Sequence, residues 1–333
     1  MIKTLFHIAM TISLTLFISC AKDDTVASPS YISDNKYFSD GDIEVVFEND
    51  KSNGINVIFM GDVYFQNHLE ASDGIYRKHA LNTISYLFNS TPFSQYKKHF
   101  NAYIIYAESK LFVSEDKKNE VKTPFGSSVS PDGLPSISNW RAIDGYVSKL
   151  TGKPRGEKDL ILISIKSHSG GGTAWLNNNV AIFGAEDHRV MLHEVGHAFA
   201  NLGDEYANES YQPIILQEVA NLDSTNNPDL IKWKHFLGLS DYIEVGAYEG
   251  GNYRESGFWR PEEQSVMGWG SYFNAPSREA IVKKIMELKK LEYNFKEFLK
   301  IDKSNDNSSK KTDSDLENKN SIELKCGVNL QSQ

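Results

Sequence analysis

His193-Glu194-Val195-Gly196-His197-Ala198-Phe199-Ala200-Asn201-Leu202-Gly203-Asp204 is the stretch that decides how the rest of this 333-residue chain is read. Its first five residues spell H-E-x-x-H. Residues four apart share one face of an α-helix, so the imidazoles of His193 and His197 can reach a single metal ion. Glu194 enters the same cleft, where a carboxylate can take a proton from an attacking water and hand it to a leaving amine. H-E-x-x-H arises by chance in roughly one or two per cent of chains of this length, so the flanking residues have to carry the reading.

Upstream, Val180-Ala181-Ile182-Phe183-Gly184 reads as a short strand that breaks at Gly184. Glu186 and Asp187 then put acid at the start of a helix, where the dipole favours it. Met191, Val195, Ala198, Phe199 and Leu202 form an apolar stripe, with His193, Glu194 and His197 off it. Gly203 is the expected helix stop. Asp204 follows at once, and a sharp turn there can swing its carboxylate back to the histidines as a third metal ligand, leaving a place open for water. Glu205, one residue on, and Glu218, in a segment of helical pattern, are the alternatives for that third ligand.

The net charge of −9, with no basic cluster, argues against a nucleic-acid partner. Residues 1–19 read as a targeting signal: Lys3, then an apolar run from Leu5 to Ile18 too short for a stable span. The run ends at Phe17-Ile18-Ser19-Cys20, which resembles the lipobox of bacterial lipoproteins, with Cys20 acylated and inserted in a lipid bilayer; a plain secretory signal is the other reading. Ala21-Lys22-Asp23-Asp24 resembles a surface-export signal of Gram-negative lipoproteins, which gives an outer-membrane, surface-exposed protein as the expectation. Cys326 is then the one thiol left in the mature chain, so no internal disulfide can form.

Residues 20–42 read as a tether, and 43–300 as one folded domain of mixed α/β (α+β) class with a twisted sheet. Strands are expected at Ile55–Met60, Asn101–Ala107 and Asp159–Ile165, and helices at Asp73–Asn89, Asn139–Leu150, near Asp229–Phe236 and over Ala275–Phe298. Gly170-Gly171-Gly172 has no G-K-[ST] after it and is no phosphate loop; it leads into an edge strand beside the cleft, free to pair with an extended peptide. His168 in that lead is a loop histidine with no partner spacing. Residues 301–333 are polar and read as a disordered tail.

Residues His193 to Tyr206 closely resemble the zinc segment of the M64 family, the IgA peptidase family. Asn56–Asp62, Tyr248–Gly251, Arg260-Pro261, Ser265–Met267 and Phe273–Glu279 resemble its other blocks, so the resemblance runs from about residue 43 to about 300. It implies a metzincin-like fold. An upper subdomain would carry the sheet and zinc helix, and an irregular lower one the Met-turn at Met267 and a C-terminal helix. The chain departs from the commoner H-E-x-x-H-x-x-G-x-x-H pattern, with Ala200 at the glycine and Gly203 at the third histidine. The activity implied is that of an endopeptidase with one catalytic Zn²⁺ held by His193, His197 and Asp204, and Glu194 as base. Tyr272, Tyr206 and Tyr253 are candidates to steady the oxyanion. Protein or glycoprotein substrates, such as IgA-like hinges, rest on the family name. The rival expectation is a surface binding protein that keeps a zinc-stabilised fold without proteolysis.

Overall fold

The computed structural model describes residues 36–113, 119–175, 178–213, 219–303 and 326–328. The signal at 1–19, Cys20 and Glu218 lie outside the described residues. In chain order the elements are β1 (Ile43–Glu48), β2 (Ile55–Asp62), α1 (Ile75–Asn89), β3 (Phe100–Ile105), β4 (Lys110–Val113), β5 (Asn119–Lys122), β6 (Ser128–Val129), β7 (Pro135–Ser136), α2 (Trp140–Thr151), β8 (Asp159–Ile165), β9 (Gly172–Trp175), β10 (Val180–Gly184), α3 (His188–Ala200), β11 (Tyr248–Gly251), β12 (Arg254–Arg260), α4 (Ala275–Lys289), α5 (Phe295–Lys303) and β13 (Cys326–Val328).

Strands that alternate with helices return parallel, because each helix supplies the crossover. β3, β2, β8 and β10 accordingly pair in parallel. β1 closes one side antiparallel to β3, and β9 runs antiparallel to β10 on the other. The main sheet has the order β1-β3-β2-β8-β10-β9-β13. Side chains alternate between its faces, and both faces are covered, which is why β3 and β8 are mostly apolar and buried along their whole length. Val57 and Phe59 face a core shared with α1, α3 and α4, whereas Ile58 and Met60 face α2 through Ile143 and Val147. No helix among the described residues is long and apolar enough to cross a membrane.

Several expectations shift. The zinc-motif helix ends at Asn201, whose φ of 50° is left-handed, and not at Gly203. Asparagine tolerates that conformation through its short polar side chain. Gly203 serves packing instead: a Cβ there would sit 2.6 Å from Leu222 Cδ1. α3 is also buried on every side from Val190 to Phe199, not along one stripe. The helix expected over 275–298 is two helices, because Lys290 turns left-handed at φ 56° and lets α5 fold back. The helix expected near 229–236 is a single 3₁₀ turn, Lys234–Phe236. Ile281 and Ile285 of α4 join the cluster that covers the sheet.

Of residues 301–333, only 301–303 and 326–328 are described. α5 continues to Lys303, and Cys326–Val328 pairs in parallel with β9. Strand pairing uses backbone groups, so a polar segment can satisfy an exposed edge. β9 is therefore not the outermost strand, as the sequence suggested.

Candidate metal centre

β10 feeds directly into α3, and Asp187 caps the helix by accepting from Val190 N at 3.1 Å. This sets the helix with His193 and His197 pointing away from solvent, both 0% exposed. His193 Nδ1 lies 2.7 Å from Val266 O, and His197 Nδ1 pairs with Leu202 O. A carbonyl oxygen can only accept, so each Nδ1 carries a hydrogen and each Nε2, once free of a proton, has its lone pair to offer. The two Nε2 atoms are 2.9 Å apart.

Asp204 completes the cluster. Its Oδ1 lies 2.9 Å from His193 Nε2 and 3.2 Å from His197 Nε2, and its side chain is fully buried. His193, His197 and Asp204 each offer a ligand atom, all within 4.8 Å of one another. Two imidazole lone pairs and a carboxylate oxygen converging in a dry space repel one another unless positive charge lies between them. Burial works against a charged His197, but the Asp204 carboxylate prevails and raises it to about 9. Burial likewise opposes the Asp204 charge, yet the facing imidazoles of His197 and His193 hold it well below the usual carboxylate range. Two nitrogens and one carboxylate oxygen suit a divalent ion such as zinc, with a coordination place to spare.

Glu194 is 0% exposed and packs against β9. A Cβ at Gly172 would stand 2.5 Å from Glu194 Oε1, so a glycine is required where the strand passes the carboxylate. Beneath the helix, Met267 Sδ occupies the space a Cβ on Gly196 would enter, at 2.5 Å. The turn that carries Met267 is thus in direct contact with the H-E-x-x-H helix, and its Val266 carbonyl orients His193.

A family model described as IgA Peptidase M64 matches residues 43–243. The chain belongs to the M64 peptidase family. No curated protein matches it. M64 is a metallopeptidase family, and the matched span runs from β1 through the zinc-motif helix and Asp204. β11, β12 and the Met267 turn lie beyond it.

In this M64 peptidase Glu205 turns away from the histidines. Neighbouring residues of an extended segment point to opposite sides. Its carboxylate accepts from Asn221 Nδ2 at 2.7 Å, Asn274 Nδ2 at 2.7 Å and Ser265 Oγ at 2.6 Å, while its backbone N donates to Met267 O at 2.8 Å. Burial raises Glu205 to about 7 against those hydrogen bonds. Asn221 also brackets Gly203, accepting from its N and donating to its O, both at 2.8 Å. Asn221, Ser265 and Asn274 escaped the sequence reading because their partners are distant in the chain and no spacing marks them. His168 bonds within its own loop, to Gly171 O at 3.0 Å. Of the tyrosine candidates, Tyr253 donates to Asp204 Oδ2, and Tyr272 leans to Glu262 at 3.4 Å. Tyr206 places its ring 6.3 Å from that of His193.

Proposed function

We propose that this M64 peptidase is a zinc endopeptidase, exported and tethered to the outer membrane through acylated Cys20. It would cleave host or environmental proteins and glycoproteins, with IgA-like hinges as the substrate suggested by the family name. The observation that carries the peptidase reading is the convergence of His193 Nε2, His197 Nε2 and Asp204 Oδ1 in a buried space on the helix that bears Glu194. The export and anchoring are supported by residues 1–24 alone.

Zinc held by those three side chains would supply Lewis acidity, polarising the scissile carbonyl and acidifying water. The protein supplies the rest. His193 and His197 are held by Val266 O and Leu202 O with Nδ1 protonated, so no ring flip precedes binding. Glu194, held against the glycine backbone of β9, takes the proton of the attacking water and returns it to the leaving amine. Its burial in a low-dielectric wall keeps that proton from exchanging with bulk solvent.

The mature chain, loaded with zinc, should cut unfolded protein substrates, lose that activity to a chelator and regain it with zinc. Glu194→Gln should abolish cleavage with zinc content unchanged. A fully zinc-loaded chain that leaves a broad proteome digest intact overturns the reading. Cys20→Ala should move the protein from the membrane to the soluble fraction; retention in the membrane overturns the anchor.

A further inference from the structure

The hairpin β11–β12 turns through an unusual backbone. Gly250, Gly251, Asn252 and Tyr253 have φ of 100°, 131°, 51° and 65°, so four successive residues lie at positive φ. Glycine takes this freely and asparagine readily, but a bulky aromatic residue there is uncommon and strained. Such strain persists where surrounding contacts enforce it. Here three backbone hydrogen bonds tie Asn252 and Tyr253 to the loop of Asp204.

Asn252 N donates to Asp204 O at 2.8 Å, Tyr253 N to Tyr206 O at 3.0 Å, and Asn208 N to Tyr253 O at 3.2 Å. The turn therefore grips the ligand loop at Asp204 and just beyond it. Gly251 presses against Leu222, whose Cδ2 would be 2.8 Å from an added Cβ. The left-handed Tyr253 then projects inward, 3% exposed, with its ring between Tyr206 and Tyr211 at 5.7 and 5.3 Å. Its hydroxyl donates to Asp204 Oδ2, the oxygen that does not face the histidines.

We propose that Tyr253 is a positioning residue that makes Asp204 a one-oxygen metal ligand. The inference rests on the metallopeptidase reading of the site. A carboxylate rotates easily about its last torsion and can present either or both oxygens. Tying Oδ2 to a phenol fixes that torsion and leaves Oδ1 alone directed at the space between the imidazoles. The second oxygen is thereby kept out of the position that a reacting water needs. The same bond settles which carboxylate of the Asp204-Glu205 pair enters the site, since Glu205 is held elsewhere by Asn221, Ser265 and Asn274.

Tyr253→Phe keeps the ring and removes the donor. Zinc affinity by chelator competition should fall about 10- to 100-fold, the range for partners of metal ligands. The visible bands of the cobalt-substituted protein should weaken, as four-coordinate cobalt gains a fifth oxygen. The metal-free protein should still fold, with a somewhat lower thermal midpoint because buried Asp204 Oδ2 loses its donor. Tyr248→Phe, the same loss of a hydroxyl from a tyrosine that bonds Glu244 O at 3.1 Å, should leave affinity and spectrum unchanged. Parental affinity and an unaltered cobalt spectrum in Tyr253→Phe overturn the inference while leaving the metal site intact. A Tyr253→Phe chain that cannot fold even with zinc present also overturns it, since the hydroxyl is then a folding element. A parent chain that binds neither metal instead removes the metallopeptidase reading itself.

Discussion

The Nδ1 of His193 lies 2.7 Å from the carbonyl oxygen of Val266, across a sequence separation of 73. That bond joins the H-E-x-x-H helix to the turn carrying Met267. The turn is held in its own right: Met267 N donates to Ser265 Oγ at 3.1 Å, and Ser265 Oγ donates to Glu205 Oε2. One of the two imidazoles, the ligand loop and the Met267 turn therefore form one hydrogen-bonded unit. Disturbing any member should be felt at the others.

Gly196→Ala tests the contact beneath the helix. The new methyl would meet Met267 Sδ at 2.5 Å and Phe273 Cε1 at 2.9 Å in a packed core. Overpacking of this kind costs about 1–3 kcal/mol. Equilibrium unfolding in urea should show a loss in that range. Unchanged stability would mean the helix and the turn are not in contact.

Gly172→Ala acts on the Glu194 carboxylate from the opposite side. The added carbon would stand 2.6 Å from both Glu194 Cγ and Val190 Cγ1. Glu194 has to move, and the three nearest atoms belong to Glu194 and Val190, not to His193, His197 or Asp204. The turnover number should fall by at least tenfold with zinc stoichiometry retained. Full activity in this variant would show that Glu194 does not need its place against β9.

Asn221→Ala removes three hydrogen bonds from the ligand loop, two to Gly203 and one to Glu205. Buried groups left without partners cost about 1–3 kcal/mol each. Stability should drop by about 2 kcal/mol or more, and zinc should bind more weakly because Asp204 is no longer fixed. A variant with parental stability and affinity would mean that Asn221 does not brace the loop.

Metal binding should depend on pH with a definite sign. In the metal-free protein the Asp204 carboxylate raises His197 to about 9, from an ordinary value of 6.5. A protonated Nε2 cannot bind a metal, so below about pH 9 a proton must leave first. Zinc affinity should rise with pH by up to tenfold per unit and level off near 9, with about one proton released per ion bound at pH 7. The stability of the metal-free chain should run the other way. The His197–Asp204 attraction contributes fully below pH 6.5 and is lost as pH rises through 9. Calorimetry in buffers of different ionisation enthalpy reads the proton count; an affinity flat from pH 6 to 9 would contradict it.

The strands Asp159–Ile165 and Val180–Gly184 were legible because unbroken apolar runs between turn residues describe a strand buried on both faces. His193 and His197 were legible because helix geometry alone puts them side by side. The break at Lys290 was not, because a left-handed lysine has no sequence signal and is decided by where the packing sends α5. β13 was not, because backbone pairing with β9 does not need apolar side chains.

Local spacing thus determined the two histidines, the glutamate between them and a strand-fed helix to carry them, since an α-helix relates neighbours by fixed angles whatever surrounds it. The turn after the helix pointed to Asp204 among three acids, and the folded chain is what brings its carboxylate against both imidazoles. Asp204 and Glu205 are adjacent and equally able to bind a metal. Asn221, Ser265 and Asn274 draw Glu205 to one side, and Tyr253 steadies Asp204 on the other. Those hydrogen bonds join residues brought together by tertiary packing, and no pattern along the sequence encodes them.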